Sequence, residues 1–150
     1  MEPFHGLRVP VALTIGAAAL AFAAISASAA VSRAGADSEI AVTMGKPGEL
    51  SMKTSARRAK AGEVEFVIKN KGKLAHEFIL LRTPTPAAKL KPRAAEPEKV
   101  EEPGFHVEVE DMRPGQGLVL VLSLKKGHYV LLCNIAGHHA GGMRADLLLK

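Results

Sequence analysis

From residue 39 onward the chain alternates short apolar runs of strand length with breaks rich in Gly, Pro and Lys. The runs are Glu39 to Met44, Glu49 to Lys53, Glu63 to Lys69, His76 to Arg82, Phe105 to Val109, Gly117 to Leu124, Tyr129 to Cys133 and Ala145 to Leu149. Glu63-Val64-Glu65-Phe66-Val67-Ile68 and His106-Val107-Glu108-Val109 alternate polar with apolar positions, the period-two signature of strands with one face in a core. No segment carries a long helical period, and there is no internal repeat. Many short strands punctuated by turn signals predict an all-β antiparallel sandwich or barrel.

One stretch departs from this rhythm. Residues 83 to 104 contain Pro84, Pro86, Pro92, Pro97 and Pro103, and basic residues in its first half give way to Glu96, Glu98, Glu101 and Glu102. Proline density on that scale predicts a surface excursion with at most a short helix between prolines, of a length often associated with function or mobility.

The first thirty residues also stand apart. Arg8 gives a short positive start, Val9 to Ile25 form an Ala-rich apolar stretch, and Ala27-Ser28-Ala29 has the small-residue form of a cleavage site, so residues 1–29 read as a secretory signal. The alternative is an uncleaved anchor helix, since Val9 to Val31 reaches the lower limit of a membrane span. Either way the domain is placed outside the cytoplasm, periplasmic or secreted, with membrane association through the N-terminus under the second reading. Residues 30–38 read as a flexible tether, and 39–150 as one domain with a modest core.

Export sharpens the significance of cysteine content. The chain holds one Cys, which cannot close a bridge within its own chain and would be exposed to oxidation there. Cys133 ends an apolar run, His138 follows after four intervening residues, and Met143 after four more. Taken singly, such residues are usually a small buried hydrophobe, a polar surface group and a core filler. Together, a thiolate, an imidazole and a thioether within eleven residues suit copper better than zinc, calcium or magnesium. Glycines at 137, 141 and 142 permit the sharp turns such a loop needs.

An electron-transfer copper site takes two His and one Cys in a trigonal plane with a weak axial Met. His5, His76, His106, His128 and His139 are candidates for the second imidazole, and His5 drops out with the export segment. His76 is favoured, because it opens a run apolar on both faces, where an uncommitted His would be costly, and follows the turn signal Asn70-Lys71-Gly72-Lys73. Period-two geometry puts Tyr129, Leu131 and Cys133 on one face and His76, Phe78 and Leu80 on another; if both faces look inward, the ligands meet at one end of the core.

Asn70-Lys71-Gly72 leading to His76-Glu77-Phe78, then Tyr129 to Cys133, Gly137-His138 and Gly142-Met143, resembles the cupredoxins, the blue (type 1) copper family that includes plastocyanin, azurin and rusticyanin. The resemblance covers residues 39 to 150. It implies a Greek-key β-sandwich, a single copper ion held by His76, Cys133, His138 and Met143, and His138 as the electron port. Glu77 stands where well-known branches place Asn, and Ala136 where some place Pro. With His138 the loop spacing is four and four, which the family uses; His139 would make it five and three, so His139 is expected as an exposed loop imidazole.

The functional expectation is therefore an exported electron carrier cycling Cu(I) and Cu(II), with a copper-delivery or storage protein using the same ligands as the alternative. An enzyme is not expected. Multicopper oxidases display His beside the Cys, and Cys133 has Leu132 and Asn134 as neighbours, while the dinuclear copper domain of terminal oxidases needs two Cys. The formal charge is +5, unchanged by loss of Glu2 and Arg8 with the signal. Basic clusters at Arg57, Arg58 and Lys60, at Lys69, Lys71 and Lys73, and at Lys89, Lys91 and Arg93 point to an acidic redox partner or an anionic membrane face. Nucleic acid is excluded by export, by the absence of Trp, by a single Tyr and by the lack of a recognition motif.

Overall fold

A computed structural model describes residues 7–9 and 35–150. Its strands are β1 (Leu7–Val9), β2 (Ser38–Met44), β3 (Met52–Thr54), β4 (Arg58–Ala59), β5 (Gly62–Asn70), β6 (His76–Arg82), β7 (His106–Met112), β8 (Gly117–Leu124), β9 (Gly127–Leu132) and β10 (Arg144–Leu149), with one helical turn, α1 (His138–Gly141), before the last strand. Three residues of the expected export segment, Leu7–Val9, run parallel beside Val107–Val109. The rest of that segment, its cleavage site and the tether up to residue 34 lie outside the described residues. Among the described residues no helix is long and apolar enough to cross a membrane.

The strands form two sheets, in the orders β1-β7-β6-β9-β10-β4 and β3-β2-β5-β8. Most pairings are antiparallel, as the sequence predicts, but β2 runs parallel to β5 and β10 parallel to β4, so the sheets are mixed. The physical reason lies in connectivity: the chain leaves β2 and passes through β3 and β4 before β5 returns along β2's other edge in the same direction. The run expected over Glu49 to Lys53 forms a strand only at Met52–Thr54, because Gly45 to Ser51 is a tight loop closed by Gly45 N–H on the Ser51 carbonyl and Ser51 N–H on the Gly48 carbonyl.

Alternation sorts side chains between two clusters. Ile40, Val42 and Met44 from β2, Val64, Phe66 and Ile68 from β5, Phe78 and Leu80 from β6, and Tyr129, Leu131 and Cys133 from the β9 run fill the space between the sheets. Burial of each large side chain there stabilises the fold by roughly 1.5–3 kcal/mol, and the Phe66 and Phe78 rings meet in a tilted pair with centroids 5.7 Å apart. The alternate residues Ile79 and Leu81 of β6 and Val130 and Leu132 of β9 point the other way and would face solvent. They are instead covered by Ala87, Leu90 and Val100 from the proline-rich segment.

That segment is therefore no free excursion. Its helical content is one 3-10 turn, Ala87–Lys89, and its return is pinned by a Pro92 to Val100 bridge. It lies across the outer face of the six-stranded sheet as a strap, because β6 and β9 are central strands that need both faces covered.

Candidate metal centre

His76, Cys133 and His138 come together at one end of the sandwich, each offering a buried donor atom, with all three atoms within 4.8 Å of one another. Among the described residues this is the one cluster of its kind. His76 Nδ1 lies 3.3 Å from His138 Nδ1, which lies 3.3 Å from Cys133 Sγ. The imidazole rings sit edge to face with centroids 5.2 Å apart.

Each residue arrives by a separate local cause. His76 begins β6 immediately after the turn that Asn70 organises: this buried amide donates to the Leu74 and Met112 carbonyls at 2.8 and 2.7 Å and accepts from Gly72 N–H at 2.8 Å. Cys133 follows the end of β9 on the core-facing side. From there the chain crosses the end of the sandwich, Gly137 takes a left-handed φ of 79° that starts α1, and Gly142, φ 119°, ends it. Met143 then enters β10's approach fully buried, its N–H donating to the His138 carbonyl at 3.1 Å and its carbonyl accepting from Cys133 N–H at 3.0 Å. Gly141 is small for a different reason, since a Cβ there would drive into Leu50.

The sulfur is hydrogen-bonded as well as buried. Glu77 N–H points at Sγ from 3.3 Å. Burial nevertheless dominates and pushes the Cys133 thiol up to about 11. Burial likewise lowers the His76 and His138 imidazoles. Without a cation the three donors are thus neutral, so a bound metal must displace the thiol proton and supply the positive charge that a thiolate in this setting requires. A soft sulfur and two imidazoles fit copper, with the buried Met143 thioether on the same loop.

Glu77 ties β6 to the loop after β9 through its backbone, its N–H reaching Cys133 Sγ at 3.3 Å. Burial, and secondarily Glu108, raise its carboxyl above the usual range.

Two of the other candidate histidines, His128 and His139, are otherwise engaged. His128 faces the Thr83 carbonyl at 2.6 Å and Asp146 at 2.9 Å. His139 differs from expectation: it is buried, 7% exposed, with Nε2 2.9 Å from the Ala87 carbonyl. The α1 turn points His138 toward Cys133 and the next residue toward the strap, so adjacent imidazoles serve opposite sides of the loop. Asn134 and Glu49 were not singled out by sequence. Asn134 bonds the strap, and Glu49 Oε1 sits 3.2 Å from His76 Nε2. Only a turn carboxylate three residues before a strand hinted at the latter.

Two mixed sheets packed as a β-sandwich thus carry a thiol-imidazole cluster at one end. No protein-family model matches the chain and no curated protein sequence matches it. Among solved structures, rusticyanin from Thiobacillus ferrooxidans superposes with a TM-score of 0.60 over 76% of this chain and 78% of its own, at 16% identity. Auracyanin from the photosynthetic bacterium Roseiflexus castenholzii, in its dithionite-reduced form, gives 0.55 over 77% and 99%, at 19% identity. These likenesses establish the fold, which is that of the cupredoxins.

Proposed function

We propose that this protein is an exported one-copper electron carrier, with His76, Cys133 and His138 as the equatorial ligands and Met143 as the axial one. The observation that carries the reading is the convergence of two Nδ1 atoms and one Sγ, all buried, from β6 and the loop after β9. Copper bound there would supply a one-electron couple between Cu(I) and Cu(II). The chain supplies the rest: a loop fixed by backbone bonds and the Glu77 N–H at the sulfur. His138 is the ligand that retains surface exposure, which suits it to pass the electron. With four protein donors no coordination place is left for a substrate, whereas catalytic metals usually keep one open. Rusticyanin is described as a copper protein and both neighbours have been described in reduced form, which supports redox use of the same fold.

The basic clusters favour an acidic redox partner, and the N-terminal signal pattern favours an extracytoplasmic site of action. The optical spectrum of the oxidised copper-loaded protein tests the reading: intense thiolate-to-copper charge transfer is expected, together with rapid one-electron exchange. Absence of that band, or slow exchange coupled to ready copper hand-off to an apo-acceptor, would replace the carrier reading with delivery.

A further inference from the structure

Glu49 comes from the loop Gly45 to Ser51, remote in sequence from every ligand, yet its Oε1 lies 3.2 Å from His76 Nε2. The opposite ring nitrogen, Nδ1, faces His138 and Cys133. A neutral imidazole has one N–H. A carboxylate can only accept, so the contact places the proton on Nε2 and leaves the Nδ1 lone pair directed at the donor cluster.

The carboxylate is held by design of the backbone. Lys73 N–H donates to Oε1 at 2.8 Å and to Oε2 at 3.0 Å, and Leu74 N–H donates to Oε1 at 2.9 Å. These donors, Leu74 first, keep it below the usual carboxylate range. Two glycines clear the space: a Cβ on Gly72 would collide with Glu49 Oε1 and come within 3.0 Å of His76 Nε2, and a Cβ on Gly45 would strike the Gly72 backbone. His76 is itself wholly buried, so through Nε2 Glu49 is the imidazole's polar partner in the structure.

We infer that Glu49 is a positioning residue that fixes the His76 tautomer for metal binding and, through its negative charge one imidazole away, favours the more highly charged oxidation state of the site. The inference rests on the copper reading proposed above. A carboxylate behind a ligating imidazole orients the ring and increases its basicity, and removing such a partner typically weakens metal affinity 10–100-fold. The loss should fall mainly on Cu(II), whose greater charge gains more from the carboxylate, so the reduction potential should rise.

The test compares full-length wild type, Glu49→Gln and Glu49→Ala. In the metal-free protein, imidazole 15N chemical shifts should show His76 in the Nε2–H tautomer in wild type and in Glu49→Gln, which keeps an acceptor oxygen, and a mixture in Glu49→Ala. In the loaded protein, Cu(II) affinity should fall about tenfold or more in Glu49→Ala with a smaller effect on Cu(I). Each tenfold differential corresponds to about 59 mV of rise in potential, and Glu49→Gln should shift the potential in the same direction because it lacks the charge. Unchanged potentials in both variants, or equal losses of Cu(I) and Cu(II) affinity, would overturn the tuning role, and a wild-type tautomer retained in Glu49→Ala would overturn the positioning role. Failure of the wild type to show the charge-transfer band would instead sink the copper reading, while the metal-free tautomer would still decide whether Glu49 sets His76.

Discussion

Asn134 and Val100 exchange two hydrogen bonds: Val100 N–H donates to Asn134 Oδ1 at 2.8 Å and Asn134 Nδ2 donates to the Val100 carbonyl at 2.9 Å. A side-chain amide here imitates a strand partner, and it comes from the residue next to Cys133. Nδ2 also reaches Glu102, whose carboxylate binds Arg93 at 2.6 Å, while Gly137 N–H donates to the Glu98 carbonyl at 2.9 Å. The strap and the loop after β9 therefore hold one another.

Asn134→Ala should consequently destabilise the metal-free protein by about 2 kcal/mol, because the buried Val100 N–H loses its partner while the Val100 carbonyl keeps only Arg93 Nε at 3.1 Å. Urea denaturation measures this. Limited proteolysis should cut within residues 83–104 sooner than in wild type. A variant with unaltered stability and cleavage would show that the strap is held by its apolar residues alone.

The tandem histidines should separate cleanly. His138→Ala should disrupt the copper spectrum with little effect on metal-free stability, since its ring contacts are within the site. His139→Ala should keep the spectrum and lose about 1–2 kcal/mol, as the buried Ala87 carbonyl is left without its partner. A spectrum destroyed by His139→Ala and preserved by His138→Ala would reverse the ligand assignment.

How far the sequence reveals this arrangement depends on the range of the determining contacts. Period two in Tyr129 to Cys133 and in His76 to Leu80 is local, and the inward faces it predicts are those found between the sheets. Loop spacing is local too, so the cluster of Cys133 with His138 is legible. The parallel β2 to β5 pairing is set by long-range topology. His139's burial depends on Ala87, and Glu49's role on Gly45 and Gly72 leaving room; none of these leaves a periodic trace. The strap reads as exposed by its prolines and charges, yet Leu90 and Val100 seal sheet faces whose need for cover is visible only in the continuous apolar run of β6.

Acid should weaken the metal-free fold below neutrality. Burial lowers His76, His138 and His139 in the native state, while the unfolded chain takes up protons at about 6.5. Their contribution is therefore complete above the unfolded value and lost as pH falls through it and onward to the native values. Glu77 has the opposite sign: its raised native pKa contributes below the ordinary carboxylate range and is lost as pH rises through the native value. Three imidazoles against one carboxyl predict a falling urea midpoint from pH 7.5 to 5.5, with a shallower fall in His139→Ala. A flat or rising midpoint would contradict the neutral native state of these rings.

The last prediction isolates the loop that carries Glu49. Gly45 has φ 75°, and a Cβ there would press on Gly72 Cα and N, which are backbone atoms that no rotamer change can move. Gly45→Ala should therefore cost the roughly 1–2 kcal/mol of a left-handed L-residue plus the displacement of the Gly72 turn, and that displacement should pull Lys73 and Leu74 N–H from Glu49. Gly48, in the same loop, has nothing within 4 Å of its would-be Cβ, so Gly48→Ala is the matched control. Thermal melts of the metal-free variants should show a large loss for Gly45→Ala and almost none for Gly48→Ala, and copper affinity should fall only in the first. Equal melts would mean that the close approach of the Gly45 and Gly72 backbones does not constrain the His76 side of the centre.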